Sequence, residues 1–414
     1  MERAGQRRIV NAEDVAVMGV SEIISKLPTI YSSYRKLVKS IRENRPDVAV
    51  LIDFPDINFR LAKHLHKANV PIIWFVSPQL WAWKRKRLKA VQMRVSRMLC
   101  IFPFEERFYR ERGVDAEFVG HPLLELSLPQ ITREHYAAQH HLDPNKTWIA
   151  LLPGSRWKEL HANLPALHEL AMSDLIASSA AQTTFDGADI ASPRDPAAQT
   201  HYEFLLPVAS TINTEELRDY LNLLNAEHLK YMGPEANQLR LTLVPDAAEA
   251  LLHARASVVA SGTATVQAAV IGNPFVVVYR VSSFTYQLIR RLVRYPAEFA
   301  DMRAPNGDQP ISMVNLIAQR RVVPELLQGN FTAANVASAL APLLVDGPER
   351  DAQIEGLAEV RRTLRAGSPA ERAQPTPPPF TIPRRSAINR VANAVMSFLP
   401  PAGTPEAVES TSKR

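Results

Sequence analysis

VAVLIDFPDINFRLAKHLHKANVPIIWFV, residues 48–76, holds two short apolar runs, 48–52 and 72–76, on either side of a stretch with helical spacing and a basic outer face, 59–67. Each run is continuous rather than alternating, the pattern of a parallel strand buried on both faces. Strand, helix and strand in that order make one crossover unit of a doubly wound sheet. The pattern continues with a helix expected at 88–97 and a strand at 99–102. Upstream, Val20, Ile23, Ile24, Leu27, Tyr31, Tyr34, Leu37, Val38 and Ile41 recur at threes and fours, so an amphipathic helix is expected there, with Pro28 marking a kink. After a polar, proline-punctuated stretch at 128–145, a second series of strands is expected at 148–152, 204–208, 241–244, 257–260 and 275–279. The fold class is therefore α/β, with two Rossmann-like, doubly wound domains facing each other across a cleft. The expected domains are 1–140 and 146–365, the second carrying a surface insertion at 173–200 that should be poorly ordered. A proline-rich linker follows at 366–386, then a short helix marked by Ile388, Val391, Ala392, Val395 and Phe398 and a polar tail, together 387–414.

Composition agrees with two cores. A chain of 414 residues exceeds one ordinary domain, and 46% apolar with 22% charged residues argues against wholesale disorder. Cys100 is the single cysteine, so no internal disulfide can form. With no signal-peptide pattern and no window of roughly 18 apolar residues, the chain reads as cytosolic and any membrane contact as peripheral. A net charge of +6 favours anionic partners and does not choose among nucleic acid, a phosphorylated substrate and anionic lipid.

Four clusters carry chemistry. Asp53, Asp56 and Asn58 directly follow a strand, where open parallel sheets bind ligands. Asp56 can serve as a general base toward a hydroxyl, with Asp53 or Asn58 orienting it, and an acidic helix cap is an equally good reading of the spacing. The second, Ser77-Pro-Gln-Leu-Trp-Ala-Trp83 followed by Lys84 to Arg87, sets two indoles beside four cations. That suits a lipid headgroup interface or a sugar phosphate; nucleic acid and a solvated basic helix start compete with it. The third, Leu152-Pro-Gly154-Ser155-Arg156, is a strand, a tight turn and a helix start, offering backbone N–H groups and a guanidinium to a phosphate; Pro-Gly-Ser also forms ordinary turns. The fourth, Ser261-Gly262-Thr263 with Gln267 a turn later, repeats that design, its rival reading being a capped, tightly packed helix start. Two such turns in one domain point to a nucleoside diphosphate.

Together these clusters resemble the lipid-A-disaccharide synthase family. The resemblance spans Asp14 to about Gln328 and includes Val15-Ala-Val-Met-Gly19, Asp53-Phe-Pro-Asp56-Ile-Asn58, Val76 to Trp83, Phe102-Pro-Phe-Glu105, Gly120-His121-Pro122, Leu152 to Arg156, Ala260 to Ala264, Tyr279-Arg280 and Asn315-Leu-Ile-Ala318. It implies a two-domain glycosyltransferase of the GT-B type that joins UDP-2,3-diacylglucosamine to 2,3-diacylglucosamine 1-phosphate with inversion, without metal or other cofactor. It implies Asp56 as base and Arg156 as stabiliser of the departing diphosphate. Ser261, Gly262, Thr263 and Gln267 would lie at the nucleotide, and Asn315 and Arg320 near the donor or an interface. Asp53, Asn58, Ser77, Trp83, His121, Gly154, Ser155, Tyr279 and Arg280 complete the expected substrate-binding set. The tryptophan segment becomes an acyl-sugar and inner-membrane-facing region with no nucleic-acid role, and a homodimer is expected by analogy.

Three departures from the family pattern stand out. Gln267 takes the place of a ribose-binding glutamate, and Gln319 that of a small residue. The family's opening strand and glycine-containing loop are not in the sequence, so the first domain is expected to be N-terminally truncated, through a misplaced start or as a weakly active fragment with an exposed sheet edge. The competing readings are another UDP-sugar-processing enzyme of the same fold and a noncatalytic lipid- or nucleotide-binding remnant.

Overall fold

The computed structural model describes residues 5, 7–11, 20–172, 176, 202–232, 241–293, 295, 299, 302, 309–367 and 386–399. The chain divides into two compact units, Met1–Pro122 with Ile382–Arg414, and Leu123–Thr381. Nearly all of the expected insertion and proline-rich linker, and the polar tail, lie outside the described residues.

In the first unit α1 (Val20–Glu43), which keeps Pro28 inside it, leads to β1 (Ala49–Ile52), α2 (Pro55–Lys67), β2 (Ile72–Phe75), α3 (Leu88–Arg94), β3 (Arg97–Cys100), α4 (Pro103–Arg110) and β4 (Ala116–Phe118). The strands pair in the order β1-β2-β3-β4, all parallel, with Ala49 beside Ile72, Ile73 beside Arg97 and Met98 beside Ala116. Ile72, Ile73, Trp74, Met98, Leu99 and Cys100 are wholly buried, which is why their runs read as apolar without alternation. Burial also pushes the Cys100 thiol well above its usual pKa. β3 stops at Cys100, two residues short of expectation, because the next residues open α4. There the Glu105 carboxylate reaches back to accept from the Phe102 N–H at 3.3 Å.

Glu105 is itself only 1% exposed. Its carboxylate also accepts from Trp81 Nε1 at 3.2 Å, and Trp81 packs edge-on against Phe104. Tyr109 adds a bond to the Pro78 carbonyl at 2.6 Å. α4 thereby fixes the loop after β2 from beneath. Trp81, expected at a lipid interface, is instead a core residue, since a buried carboxylate satisfies its N–H inside the fold.

The second unit comprises α5 (Arg133–His140), β5 (Thr147–Leu152), α6 (Trp157–Met172), β6 (Tyr202–Pro207), α7 (Thr214–Met232), β7 (Leu241–Val244), α8 (Ala247–His253), β8 (Ala256–Ala260), α9 (Thr263–Ile271), β9 (Phe275–Tyr279), α10 (Ser283–Leu292), α11 (Met313–Ala318), β10 (Glu325–Leu327), α12 (Ala333–Leu344) and α13 (Pro348–Thr363). Its parallel sheet has the order β10-β9-β8-β5-β6-β7. Leu160, Leu164, Leu167 and Leu170 recur at helical spacing on α6 and are 2% exposed or less. Burying each contributes roughly 1.5–3 kcal/mol. α5, expected in the first domain, packs in this unit: Tyr136 meets the His253 ring at 4.9 Å, and Arg133 Nη1 donates to the His253 carbonyl at 2.8 Å. Conversely α14 (Ala387–Met396) returns to the first unit and contacts β2.

Gln319, where the resembled family has a small residue, closes α11 with φ +54°. That left-handed position favours residues without a β-carbon.

Burial raises the Glu105 carboxyl from 4.5 to about 7. Its folded pKa lies above its unfolded one, so its contribution is complete below about pH 4.5 and is lost as pH rises through about 7. The loss approaches roughly 3 kcal/mol. Urea midpoints measured from pH 5 to 8 should fall for the parent and stay flatter for Glu105→Gln.

Candidate functional site

The segment Val15 to Gly19 lies outside the described residues; the other clusters singled out in the first unit follow the carboxyl ends of its strands: Asp53 to Asn58 after β1, Ser77 to Trp83 after β2, Phe102 to Glu105 after β3 and Gly120-His121 after β4. Backbone strain concentrates there too. Asp53 (φ +44°), Phe54 (+41°), Val76 (+63°) and Lys84 (+51°) are left-handed, four of eight such non-glycine residues among those described. A β-branched Val76 in that region is an outlier, and strain of about 1–3 kcal/mol per residue persists only where neighbours over-determine it. The clamp at β1 is Asn58, 8% exposed, whose Nδ2 donates to the carbonyls of Ile52 at 3.1 Å and Asp53 at 2.6 Å. Asn58 therefore positions the turn.

Because the turn is so tight, α2 starts at Pro55, four residues earlier than expected, and Asp56 sits in its first turn. Asp56 is exposed and does not cap the helix. Its Oδ1 meets Arg87 Nη2 at 2.7 Å and Lys84 Nζ at 3.6 Å. The Arg87 hydrogen bond foremost holds its carboxyl below the usual range, so it is ionised at neutral pH. Trp83 is exposed, with the Lys84 ammonium 4.2 Å from its ring centre. Ser77 is buried, its hydroxyl beside Glu105 but off hydrogen-bond geometry. His121 is buried against Phe102, and burial drops its pKa to about 4, so its ring is neutral at pH 7.

In the second unit the chain runs outward from β5 to β6 and β7, then crosses back to place β8 on the other flank of β5. Strand order reverses between β5 and β8, whose ends are level, Leu152 beside Val259. Such a reversal opens a crevice at the carboxyl ends of a doubly wound sheet. Both small-residue turns stand at it: Pro153 to Arg156 after β5, and Ser261 to Thr263 after β8. Gly262 caps α9 without a side chain to accept from its first turn; the Thr265 N–H turns back to the Gly262 carbonyl at 3.1 Å, and among the described residues no capping side chain takes the N–H groups of Thr263 and Ala264, which suits an anion there. Thr263 is exposed and Gln267 half-buried, one turn apart on one helix face.

Glu159 occupies the first turn. Its carboxylate accepts from the Ser155 N–H at 2.8 Å and pairs with Arg156 Nη1 at 3.0 Å. Gly154 (φ +126°) lets it in, since a β-carbon there would lie 2.6 Å from Glu159 Cβ. The signal for Glu159 was a glutamate in the first turn of a helix, three residues after Arg156. Tyr279, half-buried, has its hydroxyl pKa raised by burial and by nearby Glu159.

Other expected residues hold backbone. Asn315 Oδ1 accepts from the N–H groups of Val322 (2.7 Å) and Val323 (3.0 Å), and its Nδ2 donates to the Val323 carbonyl (3.0 Å) and Glu325 Oε1 (2.8 Å). Glu325, which sequence reasoning missed, also takes the Ile311 and Ser312 N–H groups, and Ser261 Oγ donates to the Ile311 carbonyl at 3.3 Å. Asn315 thus supports the second turn through Glu325. Arg280 donates to the carbonyls of Phe331 and Ala162, and Arg320 pairs with Glu359 at 2.5 Å.

A model of the lipid-A-disaccharide synthetase family matches residues 1–186 and 214–374. The chain is similar to the lipid-A-disaccharide synthase of Acidobacterium capsulatum, 47% identical over 394 residues, covering 94% of this chain and 89% of that protein. It is also similar to the one from Koribacter versatilis, 45% identical over 377 residues, covering 90% and 86%. A third, from Solibacter usitatus, is 34% identical over 375 residues, again covering 90% and 86%.

Gly154→Ala combines a disfavoured φ with a collision at Glu159 and should destabilise by roughly 1–3 kcal/mol. Adding Glu159→Gly to Gly154→Ala should restore part of the lost melting temperature. A single variant that melts with the parent would show the turn to be looser than its geometry.

Proposed function

The chain belongs to the lipid-A-disaccharide synthetase family, and from that premise we propose how its two units divide the work of a glycosyltransferase of lipid A biosynthesis. The observation that carries this reading is the pair of turns at the β5/β8 reversal, which suits a nucleoside diphosphate better than either turn alone. On this reading the donor is UDP-2,3-diacylglucosamine. Ser261, Gly262 and Thr263 take a share of its phosphate charge, Gln267 approaches the ribose, and Arg156 leaves Glu159 for the diphosphate. That exchange is inexpensive: a half-exposed ion pair contributes at most about 1 kcal/mol, and a diphosphate offers the guanidinium more charge and a bidentate partner.

The first unit takes 2,3-diacylglucosamine 1-phosphate. Asp56 accepts the proton of an acceptor hydroxyl while that oxygen bonds to the anomeric carbon of the donor. The bond from this carbon to the diphosphate breaks, its electron pair leaves with UDP, and Arg156 with the turn N–H groups stabilises the new charge. A single displacement inverts the anomeric centre. Asp56 is a weak base while Arg87 and Lys84 hold it, so ligand binding must draw those cations off.

Among the described residues no helix is long and apolar enough to cross a membrane. Membrane contact, part of this proposal together with a cytoplasmic, inner-membrane location and a homodimer, would rest on Trp83 and the cations Lys84 to Arg87, without Trp81. Flotation with vesicles rich in phosphatidylglycerol should occur at low salt, weaken as salt rises, and be lost on neutralising Lys84 to Lys86. Flotation that ignores salt and charge would count against it.

Asp56→Asn should lower UDP release from the two acyl-sugar substrates by about 10²-fold or more with an unchanged melting temperature. Near-normal turnover by the folded variant would remove Asp56 from the mechanism.

A further inference from the structure

A cavity of about 380 Å³ opens between α2 and α3, lined by Asp56, Phe59, Arg60 and Lys63 from the first and by Arg87, Ala90 and Arg94 from the segment that leads into and forms the second. The spacing of three and four on both elements means that each turns one continuous face to the groove. Its charge is lopsided: four cations surround one carboxylate. Asp56 already pairs with Arg87, and among the described residues no carboxylate lies within ion-pair distance of Arg60, Lys63 or Arg94.

An ordinary solvated helix face looks different. On α4, Arg107 and Arg110 each pair with a glutamate four residues away, Glu111 and Glu106, at 2.7 and 3.1 Å. Like charges gathered in one groove without such partners repel, and an anion of more than one charge removes that cost. The groove also has an apolar floor. The Phe59 ring lies against Trp74, with centres 4.8 Å apart, and the Arg87 guanidinium sits 5.1 Å above its centre. A guanidinium over a fixed aromatic suits a phosphate attached to a larger body more than a free-moving counterion.

We propose that this groove is the subsite for the phosphomonoester of the acceptor sugar, with Arg60, Lys63 and Arg94 recognising the phosphate and Arg87 shared between the phosphate and Asp56. The assignment rests on the reading of Asp56 as the acceptor-side base, and it adds a specificity determinant to it. Arg87 links the two: the exposed Arg87–Asp56 pair is worth little, so a phosphate in the groove competes for the guanidinium and releases the carboxylate when the acceptor is in place.

The test uses the full chain with Arg60→Gln, Lys63→Gln and Arg94→Gln, singly and combined, and two acceptors, acylated glucosamine with and without its 1-phosphate. UDP release is the readout. The combined variant should raise KM for the phosphorylated acceptor roughly 10- to 100-fold, leave KM for the donor unchanged, and act on the phosphate-free acceptor as the parent does. An unchanged KM, or equal losses with both acceptors, would overturn the proposal. So would loss of attachment to phosphatidylglycerol vesicles with an unaltered KM, which would make the groove a headgroup site. Should the parent release no UDP with either acceptor, the catalytic reading fails by itself. Titration with glucosamine 1-phosphate then decides the groove: binding by the parent that the combined variant loses supports it, and no binding by the parent rejects it.

Discussion

The Asn58 amide donates to two successive carbonyls, Ile52 and Asp53, and so holds the chain through two left-handed residues that would otherwise relax toward extended conformations. Geometry downstream follows from that clamp. A relaxed turn would start α2 later and aim Asp56 elsewhere. With the turn closed, the acid lies over the basic segment after β2, and the faces of α2 and α3 meet along one groove. The basic segment needs its own fixing, supplied from below by Trp81 and Glu105. Two buried polar groups, one amide and one carboxyl, thus set the exposed chemistry of the first unit.

The second unit solves a similar problem by topology. A reversal of strand order leaves room at β5 and β8 whatever the side chains, and short turns bring helix starts to that room. What remains is to keep the turns shaped. Glu159 does this for one from within its own helix, and Glu325, reached through Ile311 and Asn315, does it for the other.

Strands buried on both faces were legible as apolar runs, and β9 falls where its run lies; β7 also falls where expected, though it is only partly buried. β4 and β10 were not, because each is three residues long and contains a charged residue, Glu117 or Glu325. The early start of α2 was hidden because Asp53 and Phe54 carry no local mark of left-handed backbone. The motifs fall at strand ends, but the sequence does not show which of their members reach outward. Asn58 and Asn315 look like ligands by residue type and are committed to backbone; Trp81 and Trp83 look alike in sequence and differ wholly in exposure. That distinction depends on what folds around each residue, and the carboxylates responsible lie elsewhere in the chain or one turn beyond the motif.

Cys100 closes β3 at zero exposure, with burial holding its thiol protonated. Only the thiolate reacts with maleimides and nitroxide reagents, and the chain has no second cysteine. The folded protein is therefore a silent background for labelling: one cysteine introduced on an exposed helix face of each unit would carry a probe without removing the native one. Distances between the two units could then be followed through substrate addition with the core of the first sheet left intact.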